Sequence, residues 1–195
     1  MIKPRPCDDC QGMLGPYGGL ILTPPGAQRP TLLCVRCYLA MVHRESDPDR
    51  DGPEFRPATI YDSEGVGHDF EFETFFAEQR TIVKAREVRD GRAAGYEFST
   101  GGDADADPSA LFLILYERLR RELRQKYLTE SPAGPQIGRQ GMVRGTIEWD
   151  SEREGDVPLL IIDGQPISWD EMGRMLMTWE GFAFKLEVFD LSEET

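Results

Sequence analysis

The four cysteines constrain this chain more than any other feature, because they form two close pairs. Two residues lie between the cysteines of each pair, and 23 residues separate the pairs. This spacing lets both sulfurs of a pair reach one ion at about 2.3 Å, and two such pairs complete a tetrahedron. The sequence therefore predicts one four-sulfur metal site, whose ligands are Cys7, Cys10, Cys34 and Cys37.

Three other interpretations of the cysteine pattern are open. Four unrelated buried thiols would not need this spacing, and a redox dithiol needs one pair rather than two. A rubredoxin-like iron site favours a glycine turn after both pairs. Gly12 follows the first pair, whereas Tyr38 follows the second. We therefore expect zinc, with iron as the alternative.

The residues around the pairs predict a local fold. Residues 18–23 and 31–33 have strand character around a Pro- and Gly-rich turn, and residues 35–45 contain neither Gly nor Pro and carry helical spacing. The second pair then lies at a helix N-terminus, which favours thiolates. Turn, hairpin and ligand-bearing helix in this order make residues 6–45 resemble a treble-clef zinc finger.

The resemblance implies a zinc ion that folds the module. Treble-clef proteins include modules that bind DNA, RNA, ubiquitin and other proteins, so the resemblance is specific for metal and fold and not for function. Nucleases of this kind place a catalytic His on the hairpin, and residues 18–33 contain no His. Four cysteine ligands also leave no open position for water, so the zinc is expected to be structural.

Charge narrows the choice of partner. The 195 residues carry a net charge of −13, and the basic segments are residues 1–44, with five Lys or Arg against two Asp or Glu, and residues 110–132, with five against three. An acidic chain is repelled by phosphate backbones, so nucleic-acid binding is disfavoured and another protein is the expected partner.

Hydropathy narrows the choice of compartment. No apolar run approaches the roughly 20 residues that cross a bilayer, and the N-terminus lacks a secretory signal. We therefore expect a cytoplasmic protein with no membrane partner, where paired cysteines bind metal rather than form disulfides.

The whole chain predicts an α+β fold in three parts. A treble-clef zinc module occupies residues 1–45, an acidic Pro- and Gly-rich linker or loop spans 46–67, and an α+β domain fills 68–195. The domain is expected to be an antiparallel sheet with two main helices. The predicted strands are 68–75, 81–88, 95–99, 142–150, 157–162 and 182–188, and the predicted helices are 109–129 and one that follows Ser168.

Local sequence signals add detail to the prediction for the C-terminal part of the chain. Ser168 and Glu171 have the spacing of a capping box. The three tryptophans, Trp149, Trp169 and Trp179, are interpreted as core anchors. Residues 142–190 also resemble segments of uncharacterised bacterial proteins, a resemblance that implies no activity.

The two histidines are the next candidate site residues. His43 is late in the zinc helix and is interpreted as a surface or packing residue. His68 could join Asp69 and Glu71 in a second metal site. Strand alternation instead places those two acids together on a solvent-facing side, which is the interpretation that we favour.

Two clusters of charged residues are the last candidate sites. The aspartates Asp103, Asp105 and Asp107 faintly resemble a calcium loop but lack its glycine and its bidentate glutamate, so a solvated loop is expected. The basic cluster is interpreted as the solvated face of a helix, with a partner-binding patch as the alternative. Its members are Arg118, Arg120, Arg121, Arg124 and Lys126.

These patterns support three functional hypotheses. The first is a non-catalytic, zinc-stabilised adaptor that binds another protein, because the metal site is closed and no catalytic motif is recognisable. The second is a nucleic-acid-associated regulator that uses the basic residues of the zinc module. The third is an enzyme of unknown reaction with its site in the C-terminal domain.

Overall fold

Long antiparallel strands dominate the middle of the chain, as the alternating sequence from residue 68 predicts. The computed structural model describes residues 3–24, 26, 29–46, 52–77, 79–150 and 157–189. In this part of the chain, three helices combine with antiparallel sheets. The mixed fold class with antiparallel sheets is therefore confirmed.

The described residues form two compact units. The first unit contains the residues up to 93 together with 97–124, and the second contains 94–96 and 125–189. The predicted three-part division at 45/46 and 67/68 stays a prediction, and residues 47–51 of the predicted linker are outside the described residues.

The first unit contains most of the strands. Its elements are β1 (Arg5–Pro6), β2 (Met13–Leu14), β3 (Leu20–Leu22), β4 (Thr31–Leu33), α1 (Val35–Glu45), β5 (Ala58–Tyr61), β6 (Gly67–Ala77), β7 (Arg80–Arg89), β8 (Arg92–Asp103) and α2 (Pro108–Glu122). β1 pairs with β2, and the other six strands form one antiparallel sheet in the order β4-β3-β5-β6-β7-β8. β5 comes from the predicted linker, and β8 extends through Gly101 and Gly102, beyond the end of the strand predicted at 95–99.

The joints of this sheet differ in length. β6 and β7 are paired from Phe70 opposite Glu87 to Ala77 opposite Arg80. β3 and β5 are joined by the single pair of Ile21 and Thr59. The hairpin β3–β4 is therefore attached to the long strands by a short joint.

Aromatic rings fill the core of the first unit. The ring of Phe112 on α2 lies 5.1 Å from Tyr38 on α1, 4.5 Å from Phe55 and 5.0 Å from Phe72 on β6. The Tyr38 hydroxyl donates to the Arg56 carbonyl at 2.6 Å, and burial raises the pKa of Tyr38 far above its usual range. The cysteine-bearing helix thus belongs to the same aromatic core as β6 and α2.

α2 begins as its sequence suggests and ends earlier. The Asp107 carboxylate accepts the Ser109 amide at 2.9 Å, and Pro108 occupies the first turn. The helix was predicted to continue to residue 129, but it ends at Glu122. Tyr127 and Leu128 donate their amides to the Asp163 carboxylate instead of to helical carbonyls. Hydrogen bonding to the buried Asp163 carboxylate therefore outweighs the helical preference of residues 127 and 128.

The second unit is small. Its strands are β9 (Leu128–Ser131), β10 (Gly134–Ile137), β11 (Gly145–Trp149), β12 (Pro158–Ile162) and β13 (Gln165–Ser168), and its helix is α3 (Trp169–Met177). β9 pairs with β10, and the other strands form a sheet in the order β11-β12-β13. Its core cluster contains Tyr127, Leu128, Ile162, Ile167 and Met175.

Two predictions for the second unit are wrong. Trp149 and Trp169 were expected in the core, but Trp149 is 69% exposed and Trp169 is about half exposed. Residues 182–188 were expected to form a strand, but they have no partner strand among the described residues. β11 is at a sheet edge, and a small core cluster leaves many apolar groups uncovered.

No helix in the described part of the chain is long and apolar enough to cross a membrane.

Candidate metal centre

The first cysteine pair occupies the tight turn between β1 and β2. The Cys7 amide donates to the Gly12 carbonyl at 2.9 Å, and the Gln11 amide donates back to the Cys7 carbonyl at 3.0 Å. Gln11 adopts a left-handed conformation, with φ at 60°. This turn brings the side chains of Cys7 and Cys10 to the same side of the hairpin, as metal binding requires.

The second pair lies at the start of α1. Cys34 is the N-cap residue, and its sulfur accepts the Cys37 amide at 3.4 Å. The Cys34 amide in turn donates to the Cys7 sulfur at 3.3 Å. Amide hydrogen bonds and the positive end of the helix both stabilise negative sulfur, so this geometry favours thiolates.

Asp8 holds the first pair against the second. Its carboxylate accepts the Leu32 amide at 2.7 Å, and its own amide donates to the Leu32 carbonyl at 2.8 Å. Leu32 is in β4, directly before the second pair. The sequence does not predict this role of Asp8, because its partner is 24 residues away.

The four sulfurs are spaced for one ion. All of them lie within 4.8 Å of one another, and the Cys10 and Cys34 sulfurs are 3.9 Å apart. A tetrahedral site with metal–sulfur distances of about 2.3 Å has sulfur–sulfur edges of roughly 3.8 Å. The predicted ligands are therefore close enough together to bind one metal ion, and four sulfurs complete a tetrahedron.

The electrostatics of the cluster also call for a cation. Burial raises the pKa of Cys7, but the backbone amides of Cys10, Cys34 and Asp9 lower it more, to about 6. The neighbouring Asp9 carboxylate raises the pKa of Cys37 well above its usual range, and burial and the other thiols add to this effect. Four thiolates so close together would repel one another, and a divalent cation removes that repulsion.

The other predicted site residues do not join the cysteines. His43 donates to or accepts from the Ser109 hydroxyl at 3.0 Å, which is a packing contact between α1 and α2. Asp69 and Glu71 are exposed on one side of β6, as predicted, while His68 faces the buried side. The acids and the imidazole therefore cannot converge on one metal.

Some of the aspartates near residue 105 and some members of the basic cluster make structural contacts. Asp103 ends β8, and Asp107 caps α2. Arg118 was expected in solvent, but it is buried and donates to the Ser99 carbonyl at 3.1 Å. The Arg120 guanidinium lies 5.7 Å from the centre of the Tyr116 ring. The basic cluster is thus only partly a solvated face.

His68, Glu87 and Asp62 form a buried polar triad that the sequence does not predict. His68 Nδ1 lies 2.8 Å from Glu87 Oε1, and His68 Nε2 lies 3.5 Å from Asp62 Oδ2, with all three side chains buried. Arg89 also contacts Glu87 at 3.0 Å. The sequence signal for this triad is the alternation of apolar and polar residues in β6, which puts His68 on the same face of the strand as Phe70. A buried His needs polar partners.

Comparison with known families divides the chain in the same way as the packing does. The chain matches a domain of unknown function (DUF7686) over residues 52–124 and a domain of unknown function (DUF7713) over residues 127–193. The boundary between the matches coincides in sequence with the boundary between the compact units. None of the curated proteins and none of the solved structures matches the chain. The four cysteines precede both matched ranges, and the bacterial resemblance stays a prediction.

Proposed function

We propose that the four cysteines hold one structural zinc ion in a treble-clef arrangement. The support is the order of the elements: a tight turn with the first pair, the hairpin β3–β4, and a helix N-terminus with the second pair. Thiolate ligands suit zinc, and four of them close the coordination shell.

Metal analysis of the purified protein tests this centre. We expect one equivalent of zinc per chain and thiols that do not react until the metal is chelated. An equivalent of iron would replace zinc in the proposal. Far less than one equivalent of either metal, with freely titratable thiols in the native protein, would contradict the whole centre.

We further propose that the chain is a non-catalytic protein that binds another protein through α3. Met175 on this helix is buried in the core, whereas Trp169, Leu176 and Met177 are exposed on another side. These three residues, separated by seven and eight positions, form a second apolar side, here called the α3 stripe. Two apolar sides are typical of a helix that packs against other surfaces on both of those sides.

The composition of the α3 stripe suits a protein partner. Trp and Met are enriched at the centres of protein interfaces, and exposed apolar patches with polar rims mark interaction sites. Asp170 and Glu180 are exposed acids next to the stripe, and the whole chain is acidic. The partner surface is therefore expected to be apolar at its centre and basic around it.

Site-specific photo-crosslinking tests the α3 stripe. A photoreactive residue replaces Leu176 in the expressing cell, and the same residue replaces Arg174 as the control on another side of α3. We expect one defined protein to crosslink from position 176 alone. That protein, once purified, should bind the wild-type chain and bind the Leu176→Asp variant at least tenfold more weakly. Equal binding by the variant would reject the stripe, and a turnover that survives purification would reject the non-catalytic assignment.

Nucleic-acid association is the second candidate, and one observation favours it. Arg5, Arg29 and Arg36 are all exposed in the metal-binding segment, although Asp8 and Asp9 are exposed beside them. Binding of this kind should weaken steeply with salt and disappear when the three arginines are changed to Glu. A flat salt dependence would reject it.

A further inference from the structure

Residues 182–189 are an apolar segment outside any helix or strand, and the described residues leave most of it uncovered. Phe182, Phe184, Leu186 and Val188 alternate along it and are 70–88% exposed. Lys185 and Glu187 alternate with them, and their charged groups are 3.0 Å apart. In a strand conformation, this alternation gives the segment one apolar side and one charged side.

Both ends of the segment contact the second unit. The Phe182 ring meets the Trp179 ring edge to face, with 5.3 Å between the centroids. At the other end, the Arg144 guanidinium lies 5.5 Å from the centre of the Phe189 ring. The middle of the segment is thus held between two contacts, with its apolar side facing outward.

The segment also belongs to a recurring domain. The match to the domain of unknown function (DUF7713) covers residues 127–193 and so includes the whole segment. An exposed apolar segment with alternating side chains is a template for strand pairing, because its N–H and C=O groups have no partner strand among the described residues.

We propose that residues 182–189 pair with the same segment of a second copy of this chain, antiparallel and centred on Leu186. In this register Lys185 of each copy faces Glu187 of the other, which places two opposite-charge pairs on the charged side. On the apolar side Phe184 faces Val188, and the two copies of Leu186 face each other. Aromatic–β-branched and opposite-charge pairs are the favourable cross-strand pairs of antiparallel sheets.

The charge pattern excludes the neighbouring registers and the parallel orientation. An antiparallel pair centred on Lys185 or on Glu187 puts two like charges opposite each other at its centre. In a parallel pair in register, both charged positions face their own copies. Only the register centred on Leu186 matches both charges at once, and it gives the self-complementary contact of a twofold dimer.

The apolar side of the segment has a large exposed area. Phe182, Phe184, Leu186 and Val188 together expose on the order of 550 Å², against about 800 Å² per partner in a standard interface. Edge-to-edge pairing brings these side chains beside their counterparts in the second copy and leaves the outer side of the pair open.

A charge swap tests the register. The metal-loaded full chain should have a mass of twice 22.1 kDa in light scattering and sedimentation. Lys185→Glu and Glu187→Lys should each weaken the dimer by about tenfold, because each places like charges opposite each other. The double variant, with both charges exchanged, should regain the wild-type dissociation constant within about threefold.

A cysteine scan provides a second measurement. Paired residues of antiparallel strands have Cα atoms about 4.5–5.5 Å apart, which suits a disulfide. Mild oxidation should therefore crosslink the Leu186→Cys variant between chains and leave Lys185→Cys and the wild type uncrosslinked. A monomer at all concentrations, a dimer indifferent to the charge swap, or equal crosslinking from both positions would overturn the proposal. Tryptophan emission and circular dichroism identify any variant that fails to fold. The α3 stripe is tested separately, because none of these variants changes it.

Discussion

The two compact units differ in degree in how they place polar and apolar groups. The first unit buries several ionisable side chains, among them His68, Glu87 and Arg118, and it carries the four-sulfur cluster. The second unit buries Asp163, and it leaves more of its large apolar side chains exposed, such as Trp149 and Phe184. We therefore expect the first unit to be the more sensitive to loss of internal contacts and the second to be the more available for contacts with other chains.

Metal removal should have the largest effect. Structural zinc contributes about 10–16 kcal/mol of apparent binding energy, so Cys37→Ser or strong chelation should unfold the cysteine-bearing part of the first unit. All three tryptophans, residues 149, 169 and 179, are in the second unit, so their emission reports on that unit alone. We expect a large loss of far-ultraviolet circular dichroism with little change in tryptophan emission. Arg36→Ser, an exposed neighbour of Cys37, is the control and should retain the metal. Simultaneous loss of the circular dichroism and of the native tryptophan emission would show that the two units do not respond separately to metal removal.

The buried triad should have the next largest effect. His68→Leu removes the imidazole between Glu87 and Asp62 and leaves two carboxylates buried near each other, at an expected cost of about 3–5 kcal/mol. Urea denaturation followed by circular dichroism measures the free energy of unfolding. Glu71→Gln, on the exposed side of the same strand, should change that free energy by less than about 0.5 kcal/mol. If the two substitutions lowered the free energy of unfolding equally, the buried and exposed sides of β6 would not differ in their contribution to stability.

The Asp163 carboxylate offers a matched test in the second unit. It accepts the Tyr127 and Leu128 amides at 2.9 and 2.8 Å, and Asp163 and Gly164 form the turn between β12 and β13 with positive φ. Asp163→Ala leaves both buried amides without this acceptor and should cost about 2–3 kcal/mol. Asp163→Asn keeps an acceptor oxygen and the turn preference, so it should cost less. Urea denaturation followed by tryptophan emission measures both. Equal losses for Asn and Ala would show that the charge, and not the acceptor oxygen, matters.

The capping box of α3 should have the smallest effect. The Glu171 carboxylate accepts the Ser168 amide at 2.9 Å, and the Ser168 hydroxyl accepts the Glu171 amide at 3.3 Å. Hydrogen bonds from the side chain and backbone of Ser168 lower the pKa of Glu171. A carboxyl whose folded pKa is lowered adds stability above its unfolded pKa, and this stability is lost as the pH falls through the folded pKa.

Ser168→Ala should therefore cost about 1 kcal/mol at neutral pH, and the difference from wild type should shrink in acid. Thermal denaturation at several pH values, followed by tryptophan emission, measures it. Glu180→Gln, which removes an exposed acid beyond the other end of α3, should show no such trend. A difference from wild type that stays constant down to low pH would assign the effect to the hydroxyl alone.

Local patterns were sufficient to predict many elements and the metal ligands. α1 covers residues 35–45, as its lack of Gly and Pro predicts, and the Ser168–Glu171 capping box is present. The four cysteines converge as their spacing requires. Each of these features depends on residues that are close in sequence or on a chemistry with few alternatives.

Features that depend on distant partners could not be predicted in this way. Leu128 fits the helical stripe of α2, but its amide is bound by a carboxylate 35 residues later. His68 has the alternation of a core residue, yet its partner Glu87 becomes a neighbour only through the pairing of β6 with β7. The alternation of residues 182–188 identifies an extended segment but carries no information about which strand covers it.

The single-pair joint between β3 and β5 has a consequence for the kinetics of metal exchange. Cys34 and Cys37 begin a helix that is fixed in the aromatic core through Tyr38, whereas Cys7 and Cys10 are on a turn tied to β4 by Asp8. β3 pairs with β5 through the single pair of Ile21 and Thr59, and buried side chains such as Leu20 add packing at this joint. We expect local opening at this joint to release the sulfurs of Cys7 and Cys10 together and to leave the other two in place. A chelator or a second ion can then reach a metal that is bound by two sulfurs instead of four. Amide hydrogens of the hairpin will exchange with solvent before those of β6 and β7.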